Sequence, residues 1–216
     1  MIKTAYLFAY NTIQSVGWFY ALYSLGTTLY TTSSIPLAAQ AATPTVAFLQ
    51  AFATLELVNA LLGLVPGSAS SAFMQLFGRN AILFGYLLPS SLDNLPVASL
   101  YVAWSFAECI RYPFYALSLI SSCPSPLIWL RYTTFMVLYP IGIFSECAVV
   151  YTAMPYIEST YPIIVNGYIA TPALSYAYCC FEYGVCGVAL FKYMLRQRQK
   201  VLGGGGKERA EKAKTN

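Results

Sequence analysis

Histidine is absent from all 216 residues, and charged side chains make up only 9% of the chain. The first absence removes the side chain that ordinarily titrates near neutral pH, so any acid–base chemistry falls to carboxylates, phenols or thiols. The second lies far below the roughly one quarter of residues that are charged in an average soluble domain. With 58% hydrophobic residues beside it, it excludes a soluble globular chain and points to a membrane protein. The six cysteines contain no C-x-x-C pair and have no histidine to join them, which leaves no pattern for a zinc site. They lie in apolar stretches, where a free thiol packs as a small polarisable residue. No internal repeat, glycine-rich phosphate loop or G-x-S-x-G elbow is present. No cleavable signal peptide is expected either: Lys3 runs directly into an apolar segment too long and aromatic for a signal core, so the first segment is read as an anchor.

The charges that remain are unevenly placed. Residues 1–190 hold four basic and six acidic groups, a net charge of minus two, whereas the last 26 residues hold eight basic groups against Glu208 and Glu211, a net charge of plus six. Basic residues flanking an apolar segment mark its cytosolic side or contact anionic lipid, so the tail is read as cytosolic and no nucleic-acid partner is inferred. Residues 1–200 are assigned to a membrane domain and 201–216 to a flexible tail, in which Gly203–Gly206 form a linker. The terminal Lys212-Ala213-Lys214-Thr215-Asn216 resembles the K-x-K-x-x retrieval signal of endoplasmic-reticulum membrane proteins.

A spanning helix needs about 20 mainly apolar residues. Six stretches qualify, at about 5–30, 44–65, 70–89, 95–120, 126–152 and 162–194, the third interrupted by Gly78 and Arg79. Turn chemistry separates them: Thr31–Pro36, Pro66-Gly67-Ser68, Pro89–Asn94, Ser121–Pro124 and Pro155–Pro162. The expected fold class is all-α, a polytopic six-helix transmembrane bundle. An even number of spans places both termini in the cytosol.

Glu56, Arg79, Glu108, Arg111, Glu146 and Glu182 fall inside these apolar stretches. Each costs roughly 2.5–3.5 kcal/mol near the bilayer centre, so each must face protein or a cavity. Glu108 and Arg111, three residues apart, share a helix face and can neutralise each other. Glu56, with Asn59 one turn on, can bond across to a neighbouring helix, and so can Glu182. The stretch RYTTFMVLYPIGIFSE, 131–146, carries Tyr139 and Glu146 seven residues apart. That is almost two turns, so both face one side about 10 Å apart along the axis. Pro140 and Gly142 between them are expected to kink the helix and open space beside the pair.

Four stretches resemble the very-long-chain 3-hydroxyacyl-CoA dehydratases, also called protein-tyrosine-phosphatase-like membrane proteins. YLFAYNTIQSVGWFYAL, LELVNALLGLVPGS, WSFAECIRYPFYAL and LRYTTFMVLYPIGIFSE look like that family's Y-L-x-x-Y-N…G-W, L-E-x-x-H-x-x-L-G-L-V, W-S-x-x-E-x-x-R-Y-x-F-Y and R-Y-x-x-F-x-x-L-Y-P-x-G-x-x-x-E motifs. Two departures stand out: Asn59 replaces an expected histidine, and Pro113 an expected small polar residue. The phosphatase-like label does not extend to chemistry, because no cysteine here is followed six residues later by the arginine of a C-x5-R loop.

The resemblance implies dehydration of a (3R)-3-hydroxyacyl-CoA to the trans-2-enoyl-CoA, the third step of microsomal fatty-acid elongation, with Tyr139 and Glu146 as the catalytic pair. It implies no cofactor and no metal. The partners it implies are an acyl-CoA, membrane lipid, and the elongase and reductases of the cycle, in the endoplasmic-reticulum membrane. Glu146 is assigned as the base for the C2 proton and Tyr139 as the donor to the leaving oxygen, with the reverse assignment open. Arg111, Tyr112, Arg131 and Glu108 are candidates for substrate or oxyanion contacts, Arg131 alternatively for the CoA phosphates or for topology. A bundle with a cytosolic mouth and an internal acyl tunnel would suit such a substrate. The alternatives are a catalytically silent elongation-complex subunit and a small membrane transporter.

Overall fold

The computed structural model describes residues 2–65, 69–165 and 168–203. The turn at 66–68 and the retrieval-like Lys212–Asn216 lie outside them, as does all but Gly203 of the glycine linker. Apart from a two-residue-per-strand antiparallel ladder, β1 (Ile164–Val165) with β2 (Tyr168–Ile169), the described elements are helical. They form six rods. The first is α1 (Ile2–Thr32); the second is α2 (Ile35–Phe52) continued by α3 (Thr54–Leu61) across Ala53; the third is α4 (Ala69–Asn80) running into a π-helical segment, Ala81–Leu87. The fourth is α5 (Leu95–Leu119), and the fifth joins α6 (Ser125–Arg131) to α7 (Phe135–Thr160). The sixth joins α8 (Thr171–Phe181) to a second π-helical segment, Glu182–Gly187, and α9 (Val188–Leu202).

Local chemistry sets the ends. Ser34 and Asn94 accept hydrogen bonds from the amides of Leu37 and Val97, satisfying amides that have no partner in the first turn, and Pro36 and Pro96, second in α2 and α5, bring no amide hydrogen to be satisfied there. Ser33, Ser91 and Ser121 stand at the turns after three rods with φ of 52°, 50° and 55°, the left-handed conformation that breaks a helix.

Three expected bounds fall elsewhere. The second rod begins at Ile35 rather than 44, running through Pro44; the fifth does not stop near 152 but passes through Pro155 to Thr160; and the sixth begins at Thr171 rather than 162. In lipid, helix is the conformation that satisfies most backbone groups, so one lost proline bond costs less than unwinding. Likewise α7 is continuous through Pro140, and the rod's interruption falls at Tyr132–Thr134.

The core gathers where α1 packs on α2 and α5, and α5 on α7. Trp18, Tyr101, Tyr112, Ile82, Leu83, Leu87 and Val149 are fully buried there. Ala38, Ala39, Ala42 and Val46 form a buried small-residue stripe on α2, which lets backbones approach closely where lipid supplies no hydrophobic drive. Gly17 shows how closely: a Cβ there would collide with the Leu49 side chain. Outward faces are apolar instead. On α7, Val137, Ile141, Phe144 and Tyr151 are exposed while Gly142, Ser145, Val149 and Ala153 are buried. Three of the helical stretches, Ile35–Leu61, Ser125–Thr160 and Thr171–Leu202, are long and apolar enough to cross a bilayer. Together these features fit a membrane protein.

Candidate active site

Tyr139 and Glu146 both face the sixth rod. The Tyr139 hydroxyl donates to the carbonyl of Gly187 at 3.0 Å, and its ring stacks on Phe191 with centroids 5.8 Å apart. The absence of a side chain at Gly187 makes room, since a Cβ there would lie 3.2 Å from the hydroxyl. Glu146 accepts a 2.9 Å hydrogen bond from the indole N–H of buried Trp104 on α5. Tyr183 lies beside the same carboxylate, its hydroxyl buried and outside hydrogen-bond geometry with any acceptor among the described residues. Tyr183 and Gly187 are four residues apart on the second π-helical segment, so the phenol and the carboxylate meet that segment at levels only about 6 Å apart. π-Helical turns are rare and recur at functional sites.

A second cluster of ionisable groups lies close by. Arg111 grips Glu56 with two bonds of 2.8 and 2.9 Å, donates through Nε to Glu108 at 2.5 Å, and reaches the Tyr112 hydroxyl at 2.8 Å. Tyr112 in turn donates to Glu56, and Tyr10 approaches the same oxygen at 3.5 Å. Glu108 also accepts from Arg79. The pairing of Glu108 with Arg111 and the cross-helix bonding of Glu56, both expected from spacing, are present. Two arginines and two glutamates balance one another, and Glu146 remains outside that neutral set. Arg111 therefore has Nε, Nη1 and Nη2 all engaged by protein acceptors. Asn59 is buried and accepts from Tyr6 at 3.0 Å. Arg131 stands apart at the end of α6, donating to the Tyr115 hydroxyl at 3.3 Å.

Three contributors escaped sequence reasoning. Trp104 and Tyr183 sit 42 and 37 positions from Glu146, and nothing in either local pattern announces a contact with it. Arg79 was visible as a buried charge, but its place between Trp18 and Trp104, 5.6 and 4.5 Å from their ring centres, depends on helix packing. Farther along the bundle, a cavity of about 340 Å³ opens between the first π-helical segment, the end of α7 and the start of α8. Gly85, Tyr86, Ile157, Leu174 and Ser175 line it.

The family profile described as "Protein tyrosine phosphatase-like protein, PTPLA" matches residues 50–204. The chain is 35% identical over 93% of its length to the very-long-chain (3R)-3-hydroxyacyl-CoA dehydratase PASTICCINO 2B of Oryza sativa subsp. japonica, 94% of which is covered. It is 31% identical to dehydratase 1 of Canis lupus familiaris over 94% of this chain and 85% of that one. To dehydratase hpo-8 of Caenorhabditis elegans it is 32% identical, with 97% of this chain and all of the relative covered. No solved structure matches significantly. By profile, identity and coverage together, this chain belongs to the protein tyrosine phosphatase-like PTPLA family, whose similar members are named very-long-chain (3R)-3-hydroxyacyl-CoA dehydratases.

Proposed function

We propose that this chain removes water from very-long-chain (3R)-3-hydroxyacyl-CoA, giving the trans-2-enoyl-CoA, the third step of the fatty-acid elongation cycle, and that Glu146 and Tyr139 carry the reaction. The observation that supports it most is the shared orientation of these two side chains toward the second π-helical segment, with Glu146 outside the neutral ion cluster. Glu146 accepts the C2 proton, the electron pair moves to the thioester oxygen, and its return forms the C2–C3 double bond as the C3–O bond breaks. Tyr139 protonates the departing hydroxyl, which leaves as water. A proton passing from Glu146 back to Tyr139 resets the pair. The Trp104 N–H, aimed at one carboxylate oxygen, suits Glu146 in its acceptor form.

All six rods are assigned as membrane spans, in the endoplasmic reticulum with both termini cytosolic. Phe191 stacks on Tyr139, and Lys192, Arg196, Arg198 and Lys200 follow it on α9. Those basic residues belong on the cytosolic side, which sets the catalytic tyrosine within reach of the compartment that holds the CoA. Arg131 is assigned to the same end, where it can meet CoA phosphates. Glu108, Arg111 and Tyr112 are assigned to holding the helices around the site.

The acyl chain is assigned to a tunnel along the seam of α7 and α8, ending at the 340 Å³ cavity. Glu146, Val150, Ala153 and Ile157 form one row on α7, and Tyr183 of the second π-helical segment with Cys179 and Ser175 of α8 the facing row. From Glu146 to Ile157 the rise is about 16 Å, close to half the roughly 30 Å hydrocarbon thickness of a bilayer. A chain as long as one leaflet would just arrive at the cavity, and a very long one would enter it. The elongase and reductases of the cycle are the expected neighbours in the membrane.

The direct test is conversion of 3-hydroxyacyl-CoA to enoyl-CoA by the purified chain in lipid vesicles. Tyr139→Phe and Glu146→Gln should each abolish turnover with unchanged melting. Normal rates in both variants would sink the reading.

A further inference from the structure

Arg79 carries a feature that the ion cluster does not explain. Its guanidinium is clamped between Trp18 and Trp104 and gives Nη1 to Glu108, yet its Nε and Nη2 groups are buried with no hydrogen-bond partner among the described residues. These two nitrogens form one edge of the planar group, the fork that grips oxygen acceptors side by side. A buried donor left unsatisfied costs about 1–3 kcal/mol, and more for a charged group, so an empty fork of buried nitrogens, on a guanidinium whose side chain as a whole is 21% exposed, fits a site that awaits an acceptor. The two other arginines of this half of the bundle offer no such edge: Arg111 is engaged on Nε and both Nη atoms, and Arg131 lies by Tyr115 at the end of α6.

The fork is also in the right neighbourhood. Arg79 stacks on the Trp104 ring whose N–H holds Glu146, and its charge lies within electrostatic reach of that carboxylate. Glu146 itself could turn onto the fork, but a bidentate pairing would tie up the base, and the bond from Trp104 keeps one of its oxygens elsewhere. Loss of a C2 proton places negative charge on the thioester oxygen two bonds away, and charge developing in a water-poor site calls for donors already in place.

Resting on the dehydration assigned above, we propose that Arg79 is a further catalytic residue whose Nε–Nη2 edge receives the thioester carbonyl oxygen as it becomes an enolate. In that step the C2–H bond breaks, the proton goes to Glu146, and the electron pair is held on the oxygen facing Arg79. The charge returns to carbon when the hydroxyl leaves.

The half-reaction is measurable alone. A saturated acyl-CoA of the same length has no 3-hydroxyl to lose, so the full-length protein in vesicles should exchange its C2 hydrogen for solvent deuterium. Arg79→Lys keeps a positive charge but lacks the fork; it should lower both exchange and dehydration kcat by about 10²–10³-fold, the usual loss for one oxyanion donor, with KM changed only a few-fold. A folded Arg79→Lys protein that retains exchange, whether or not it dehydrates, overturns the proposal. So does wild-type protein that dehydrates without exchanging, whereas wild-type protein that does neither overturns the dehydratase reading instead. Should Arg79→Lys fail to fold, infrared spectra of a carbonyl-13C acyl-CoA bound to wild-type protein decide. A carbonyl stretch lower than in detergent micelles supports the fork, and an unshifted one overturns it.

Discussion

Replacing Trp104 with Phe isolates one atom of the site. The substitution deletes the indole N–H that reaches Glu146 Oε1 at 2.9 Å while leaving an aromatic ring beneath Arg79. A hydrogen bond to a charged group contributes about 1.5–3 kcal/mol. If that contribution holds the carboxylate in the orientation that meets C2–H, its loss appears in the barrier, and at 1.36 kcal/mol per decade kcat falls by about 10–100-fold. The cation–π contact weakens from Trp to Phe by about 1 kcal/mol or less, so the fold should survive with a slightly lower melting temperature. The assay is the initial rate of enoyl-CoA formation by protein in vesicles at saturating 3-hydroxyacyl-CoA, run beside thermal melting in detergent. A kcat within twofold of wild type, or above it, would refute the reasoning, because the N–H would then merely satisfy a resting carboxylate. A loss of activity that tracks loss of folded protein would refute it too.

Other substitutions separate structure from chemistry. Glu56→Gln removes the bidentate partner of Arg111, and because this pair is partly exposed the cost should fall below the roughly 3–5 kcal/mol of breaking a fully buried ion pair; a clear drop in melting temperature is expected, with kcat per folded molecule little changed. Gly187→Ala sets a methyl group 3.2 Å from the Tyr139 hydroxyl. Displacements of a few tenths of an ångström at a reacting group should lower kcat by about 3–10-fold, read as turnover at unchanged melting temperature. Gly85→Leu projects into the distal cavity, where an added Cβ meets nothing within 4 Å. The variant should fold, dehydrate shorter substrates normally and lose activity selectively on the longest chains; uniform activity across a chain-length series would remove the cavity from the tunnel.

The helical rods were legible because each is an apolar run bounded by serine, proline, asparagine or glycine, and the turns expected at Thr31–Pro36 and Pro89–Asn94 hold the caps Ser34 and Asn94. The ends at Pro155 and Thr171 were misread because proline is a strong punctuation mark in water and a weak one in a helix surrounded by lipid. Within the site, spacing along one helix gave Tyr139 with Glu146 and Glu108 with Arg111. Between helices only the fact that Glu56 would bond to a neighbour was legible; which residues meet was not. Nothing in SSAFMQLFGRN says that Arg79 will be stacked between two indoles, and YCCFEYGVC does not reveal that Tyr183 will stand beside Glu146. Such contacts depend on how far each rod is rotated about its axis. The π-helical segments alter that rotation, and no simple residue pattern announces them.

The wide turn at Glu182–Gly187 has an evolutionary corollary. A π turn holds roughly one residue more than an α turn, so a chain lacking a single residue between 182 and 187 could relax into regular helix at little energetic penalty. Six π residues turn through about the same angle as five α residues, so Gly187 and Phe191 would keep their facing toward Tyr139, whereas a residue lost from the regular helix of α8, which has none to spare, would swing everything downstream by about 100° around the rod. One codon lost within the wide turn can thus be absorbed, while one lost just before it re-aims the groups that meet the phenol with every named side chain still encoded. Length at this locus deserves as much weight as residue identity when relatives are sorted into active and inactive members.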